Sequence, residues 1–363
     1  MSQLLHANVH REWSNWSEQE RLHVIGVYFN PFRFRRRREL FNEFARQMQQ
    51  SPNVVFWPVE VAFGARPFEV TEAGHPQHVQ LRTSDVMWFK ENAIDIGVQR
   101  IPVTEKYLAY VDGDVTFSRY DWALEAIHLL QHYHFVQLFS SFTFNYLDHR
   151  PIHQHPGYAY IYCEYPPAPG DLHGGNAYRK QVVVRTYRDG YNPDPPKPPK
   201  PIRNLNWPGA PGLGWAFTRT GFNLVGGMMD KCILGSADWH MALGLTGDEA
   251  RGASVKDGHG TGDAYNNEIG RWQRQAYSEI KGKIGYLQNL LIHHWHGDHG
   301  NRQYSTRWEI LDRNQFDPSV DVMYDSQGLL RWKGNKPQLE RDVYRYFIQR
   351  DDDSTELAKK PLL

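Results

Sequence analysis

The chain has only two cysteines, Cys163 and Cys232, in 363 residues. That excludes a disulfide framework and a zinc site built on thiolates, and fits a reducing compartment. Net charge is also missing: Lys+Arg and Asp+Glu both total 41, which excludes a uniformly basic nucleic-acid coat but not a local basic patch. No run approaches the roughly 18 consecutive apolar residues of a membrane span. The opening MSQLLHANVHREW lacks the basic and apolar regions of a secretory signal. The expectation is a soluble, cytoplasmic protein with no membrane association and no obligate protein partner. Internal repeats are absent too.

What is present in excess is aromatic. Trp, Tyr and Phe make up 14% of the chain, with 12 Trp, and 18 His accompany them. Such a surplus fills a core or lines a surface that stacks flat ligands such as bases and sugar rings. Hydrophobic residues at 40% and charged residues at 23% are ordinary globular usage, so disorder throughout is excluded.

Leu22–Phe29 reads as a buried strand stopped by Asn30-Pro31. Leu40, Phe41, Phe44 and Met48 recur at helical spacing, Ser51-Pro52 ends that helix, and Val54–Val59 supplies a second strand. Strand, helix, strand in this order predicts a βαβ unit and an α/β fold with a mostly parallel sheet. Lys106–Val111 is a further strand, Ser118-x-x-Asp121 opens a helix, and 134–146 is extended. Residues 151–212, rich in Pro, Gly, Tyr and His, form an irregular insertion whose Asp194–Pro201 run reads as a polyproline-type spacer. Regular patterning resumes at Leu213–Phe217, continues through a helix at 238–245 and a Gly-rich stretch at 252–262, and ends in a long helical segment at 266–289. The resulting division is an arm (1–20), a first half (21–150), the insertion (151–212), a second half (213–315) and a C-terminal extension (316–363).

Tyr110-Val111-Asp112-Gly113-Asp114 is the sharpest chemical signal. Alternate residues of an extended chain point to one side, so both carboxylates would converge beyond a strand end, where α/β sheets bind ligands. Hard oxygen donors there suit Mg²⁺ or Mn²⁺ shared with a diphosphate. A plain surface turn is the competing reading, since Asp-Gly-Asp is also turn chemistry.

Lys90–Gly97 followed by Tyr107–Asp114 resembles the nucleotide-sugar glycosyltransferases of the GT-A fold, whose Asn-x-Gly-type segment precedes a strand bearing an Asp-x-Asp metal motif. Leu213–Phe217 resembles that family's strand beside the acceptor pocket. Gly235-Ser-Ala-Asp238-Trp-His resembles the segment whose carboxylate is the base in inverting members, although the family's acidic pair is here Ala237-Asp238. His294-Trp-His296-Gly297 resembles the late histidine segment that completes the metal site. The similarity spans about residues 22–315 without the insertion. It implies a Rossmann-like GT-A fold and a nucleoside-diphosphate sugar donor, with a UDP-sugar as the leading choice. Asp112 and Asp114, with His294 or His296, would hold Mn²⁺ or Mg²⁺. Tyr28, Asn30, Asn92, Asp112, Arg302 and Arg307 would bind the donor, Asp238 would be the catalytic base, and Trp215, Trp239 and His240 would meet the acceptor.

The late segment, His294-Trp-His296-Gly297 through Asn301-Arg302-x-Tyr304 and Arg307 to Phe316-Asp-Pro, is similar to phage and bacterial proteins of the kind that glycosylates hydroxymethylated pyrimidines in DNA. The acceptor this implies is a 5-hydroxymethylcytosine-type base, reached by flipping and located in a host cytoplasm if the protein is phage-encoded. A glycan acceptor is the alternative, and retaining or inverting chemistry is left open. The basic run Arg33–Arg38 could meet donor phosphates or a polyanionic acceptor, or be a solvated helix face. Two other classes compete. His294-x-His296-x-Asp298-His299 matches a dinuclear zinc hydrolase signature, but no histidine follows His299 to complete it. A non-catalytic carbohydrate- or nucleic-acid-binding module is the last. The other histidines, His149, His153, His155 and His173, read mainly as structural. Trp215, Trp239 and Trp295, lying within the proposed site segments, read as a stacking surface.

Overall fold

The computed structural model describes residues 20–165, 185–186, 209–248, 262–304 and 306–355. Nearly all of the N-terminal arm, the Asp194–Pro201 run, His173 and nearly all of the Gly-rich stretch lie outside them, and His153 is described in its backbone alone. The first half builds β1 (Leu22–Phe29), α1 (Arg35–Gln50), β2 (Val54–Phe63), β3 (Val79–Thr83), α2 (Lys90–Arg100), β4 (Tyr107–Val111), β5 (Val115–Phe117), α3 (Trp122–Leu129), β6 (Phe135–Gln137) and β7 (Ser141–Asn145). β8 (Pro151–Pro156), α4 (Tyr158–Glu164) and β9 (Arg185–Thr186) follow. Then come β10 (Gly214–Thr218), α5 (Arg219–Val225), α6 (Ala237–Thr246), α7 (Asp263–Ile280), β11 (Ile284–Tyr286), β12 (Leu290–His293), α8 (Trp308–Arg313), β13 (Val322–Tyr324), β14 (Leu330–Trp332) and α9 (Pro337–Gln349).

The main sheet has seven strands in the order β11-β6-β10-β4-β1-β2-β3. β1 pairs in parallel with both β2 and β4, and β10 runs antiparallel to β4 and β6, so the sheet is mixed. β1 is apolar almost throughout because both of its faces are covered. Leu22, Val24 and Tyr28 join α1 and α3 on one side; Ile25 and Phe29 join α2, α6, α7 and α9 on the other. The period-2 alternation of an extended chain thus divides one strand between two cores. The chain leaves β1 for β2 on one flank and returns to β4 on the other, creating a switch point between β1 and β4 at their carboxyl ends.

A second sheet, β5-β12-β7-β8-β9, stands beside the first. Three sequence expectations change here. The extended stretch 134–146 is two strands in different sheets. The long helical segment stops at Ile280, where Lys281 and Gly282 take positive φ, and β11 replaces its end. The insertion starts with regular structure: β8 pairs with β7, and α4 packs Tyr158 and Ala159 into the main core. The C-terminal extension is no appendage either, since Phe316, Leu339, Val343 and Phe347 lie in that same core. Among the described residues, no helix is long and apolar enough to cross a membrane.

On α2, burial raises the Asp95 carboxyl well above the usual range, and the neighbouring Asp230 adds to the rise. Asp230 is itself raised by burial, while Tyr324 donates to it at 2.7 Å. A carboxyl whose folded pKa is raised stabilises the fold below the ordinary carboxylate range and loses that contribution as pH rises toward the folded value. Asp95→Asn keeps an acceptor for the Met228 amide, now 2.9 Å from the Asp95 carboxylate. It should therefore raise stability at pH 8 by about 1 kcal/mol or more, each pKa unit being worth about 1.4 kcal/mol, and leave stability at pH 4 nearly unchanged. Urea melts of both proteins at the two pH values check this.

Candidate metal centre

β4 ends at Val111, and the chain turns through Gly113-Asp114 before re-extending as β5. This turn decides where the two carboxylates go. Because Gly113 and Asp114 are not extended, the alternation that would converge Asp112 and Asp114 does not hold. Asp112 accepts a hydrogen bond from Lys90 Nζ at 2.7 Å. Asp114 faces the other way, 2.9 Å from His296 Nε2 through Oδ2 and 3.5 Å from His293 Nε2 through Oδ1.

The histidines reach Asp114 through β-pairing. β12 runs antiparallel to β5, aligning His293 with Val115, and the His294 amide then donates to the Asp114 carbonyl at 2.9 Å. Beyond the strand the chain bends, with Gly297 at φ +87, where an added Cβ would strike the backbone of Asp351 and Asp352. The residues converging on Asp114 are His293 and His296, three apart; of the two expected histidines His296 is there and His294 is not. His294 Nε2 instead pairs with Thr116 Oγ1 at 2.9 Å, and burial pushes its imidazole down to about 4. Among the described residues, Asp114, His293 and His296 form a group able to hold a metal ion.

The donor set fits a divalent cation. Asp114 Oδ1 is inaccessible and accepts no hydrogen bond, although the side chain as a whole keeps 23% exposure. His296 Nε2 faces the Asp114 oxygen, which calls for a proton on it. It also lies 2.6 Å from Arg302 Nη2 and 3.3 Å from His293 Nε2, and the arginine calls for a lone pair. One nitrogen cannot meet both demands, and an ion between the carboxylate and the imidazoles would remove the need for a proton between Asp114 and His296. Burial works to raise the Asp114 carboxyl, but the His296 and His293 imidazoles hold it well below the usual range. Burial lowers His293, which favours the neutral, ligating form. Two nitrogens and one carboxylate are softer than the paired carboxylates expected from Asp112 and Asp114, and so favour Mn²⁺ or Zn²⁺ over Mg²⁺.

Around this centre lies a second buried charge group. Burial works to lower the Lys90 ammonium, but Asp112, Glu91 and Asp238 hold it well above its usual range. Burial pushes Glu91 up to about 7. Asp238, in the first turn of α6, lines a small cavity with Tyr110, Trp215 and Met241. Its Oδ2 also abuts the position that a Cβ on Gly212 would take.

The remaining expected residues are placed as follows. Tyr28 donates to Glu69 at 2.6 Å, and Asn30 closes on Phe34 through both its amide and its carbonyl, so both shape the end of β1. Asn92 holds the β13–β14 turn by bonding Gly328 and Leu330. Arg302 lies against His296. Arg307 bonds Tyr346 at 3.2 Å and contacts Ser236, with Tyr304 and Trp308 flanking its guanidinium. Trp215, Trp295 and His240 are buried, so neither of these tryptophans offers a stacking surface; Trp239 is half-buried. In the hydrolase signature, only His296 joins the cluster: Asp298 accepts from Gly300, and His299 stacks on Phe144. Sequence reasoning missed His293, Lys90 and Asp352. For His293 a signal existed: it ends the apolar approach Leu290–Ile292.

Fold and site together define an α/β protein with a candidate Asp-His-His metal centre at the edge of a sheet switch point. Compared with known proteins, the chain matches no family model and no curated protein.

Removing one of three ligands should cost more than removing a group that only orients one, an effect of about 10–100-fold in affinity. Asp114→Ala and His293→Ala should therefore weaken Mn²⁺ binding at least about a hundredfold. Asp112→Asn and His294→Gln should stay within about threefold of the parent chain by the same reasoning. Isothermal titration with Mn²⁺ measures all four.

Proposed function

We propose that the chain is a metal-dependent glycosyltransferase of GT-A type that moves a sugar from a nucleoside-diphosphate sugar to a hydroxyl acceptor. The observation that carries this reading is the meeting of the Asp112-Gly113-Asp114 turn, at the carboxyl end of β4, with His293 and His296 beside the β1–β4 switch point. Ligands of open α/β sheets bind at that place. The parallel β1, β2 and β4 pairings support a Rossmann-like nucleotide half.

Asp114, His293 and His296 would hold the ion, with Mn²⁺ the leading choice. When bound, it supplies positive charge against the diphosphate that leaves as the sugar–oxygen bond breaks. Lys90 fixes the Asp112 carboxylate, the donor-facing group of the pair, and lies in the field of Asp238 as well. Arg302 is the guanidinium in contact with the centre and would meet the diphosphate; the partners of Arg307 give it a structural part. Asp238 would take the proton from the acceptor hydroxyl. The leading donor is a UDP-sugar. The leading acceptor is a 5-hydroxymethylcytosine-type base in phage DNA, with a glycan as the alternative.

With Mn²⁺, a panel of sugar nucleotides should yield slow hydrolysis or transfer from at least one donor. Asp238→Asn should lower transfer about 10²–10⁴-fold, the usual contribution of a positioned base, while leaving Mn²⁺ and nucleotide affinity intact. Activity with Zn²⁺ on ester or amide substrates, and none with sugar nucleotides, would instead favour the hydrolase. Binding to sugars or nucleic acid that survives Asp114→Asn, with no turnover, would favour a non-catalytic module.

A further inference from the structure

We infer that Asp352, supplied by the segment after α9, is a positioning residue of the metal centre: it stands behind His296 and holds that imidazole toward Asp114. The inference rests on the metal-centre reading above and adds a residue to it from a part of the chain with no metal-site motif.

The segment 350–355 is tied down at every step. The Asp353 carboxylate accepts from the Arg35 and Arg36 amides at 2.8 and 2.7 Å, capping the start of α1. Trp295 Nε1 donates to the Ser354 carbonyl at 2.7 Å, and the Tyr146 hydroxyl to the Thr355 carbonyl at 2.8 Å. Gly297 leaves room for the Asp351 backbone to pass the histidine bend. Between these anchors Asp352 is only 1% exposed. Its Oδ2 accepts from Arg37 Nε at 2.5 Å, and Arg37 is held in turn by the Phe29 carbonyl at 3.1 Å.

The other oxygen, Oδ1, makes no hydrogen bond. It lies 3.7 Å from His296 Nδ1 and 3.7 Å from Arg350 Nε. His296 thus has a carboxylate on each side, Asp114 at Nε2 and Asp352 at Nδ1, while Arg302 Nη2 lies 3.0 Å from Nδ1 and 2.6 Å from Nε2. In the tautomer with the proton on Nδ1, Asp352 is the carboxylate on that side of the ring and the Nε2 lone pair is left toward Asp114. Carboxylate partners of this kind orient metal-binding imidazoles and raise their basicity. Arg37 and Arg350 flank the Asp352 carboxylate, at 2.5 Å from Oδ2 and 3.7 Å from Oδ1.

The test is metal affinity in the full chain, read with Mn²⁺ by titration and with Co²⁺ by its visible spectrum, together with thermal stability. Asp352→Asn should bind Mn²⁺ about 10–100-fold more weakly and shift the Co²⁺ bands, while Asp352→Glu should recover part of the loss. Tyr146→Phe, which removes the anchor at the Thr355 carbonyl without touching Asp352, should lower the melting temperature and leave Mn²⁺ affinity within about threefold, well short of the loss expected on removing an outer partner. Equal Mn²⁺ affinity and equal Co²⁺ spectra in the parent and Asp352→Asn would overturn the inference while leaving the metal centre standing. So would an equal loss in Tyr146→Phe, since the segment would then act only through folding. If Asp352→Asn does not fold, the comparison of Asp352→Glu with Tyr146→Phe decides in the same way. No binding of either metal by the parent chain would defeat the metal-centre reading and this inference with it.

Discussion

The Asp114 carboxylate, with one oxygen out of reach of water and unbonded, has to be compensated, and much of the molecule is arranged around that need. Moving a carboxylate out of water costs several kcal/mol unless opposite charge or donors meet it. The compensation comes from β12, far along the chain, so β5 must pair with β12 and the chain must bend after His293. The bend requires Gly297, and Gly297 leaves the space through which the segment after α9 passes. Each constraint follows from the one before it.

The zero net charge takes on a different meaning in this light. The arginine run that could have served as an external basic patch is in part turned inward. Arg36 donates to the Trp295 carbonyl at 2.9 Å, and Arg37 pairs with the buried Asp352. Lys90 and Asp112 form a second internal pair. Isolated buried pairs stabilise a fold weakly, since desolvation offsets their attraction. Where both partners are also hydrogen-bonded, they fix geometry. Here they hold Asp112 and Asp114 in separate directions, so two neighbouring carboxylates take on different tasks.

Much of this fold could be read from local patterns. The apolar run of β1, the helical spacing of Leu40, Phe41, Phe44 and Met48, and the strand from Val54 each fix one element, and together they predict the parallel βαβ unit found between β1 and β2. Some of what failed depended on a single backbone turn. A helix extended across Lys281 because its positive φ has no signature in a lysine. The site was legible in outline: the Asp-Gly-Asp turn and the histidine segment do lie together. Which residues converge was not, because alternation applies to extended chain, and both segments bend at the decisive residue. Asp352 had no local signal at all, since only tertiary packing places it behind His296. Trp215 and Trp295 illustrate the same limit, because aromatic content cannot distinguish a stacking surface from a core.

The central claim is that Asp114, His293 and His296 hold an ion that also engages a nucleoside diphosphate. Pulsed electron paramagnetic resonance on Mn²⁺ bound to the full chain tests both halves of it at once. The account predicts hyperfine coupling to histidine nitrogens from two imidazoles, and additional coupling to phosphorus when UDP is added. Bound Mn²⁺ that shows no histidine nitrogen, or that shows it but never couples to phosphorus with any nucleoside diphosphate, would contradict the account.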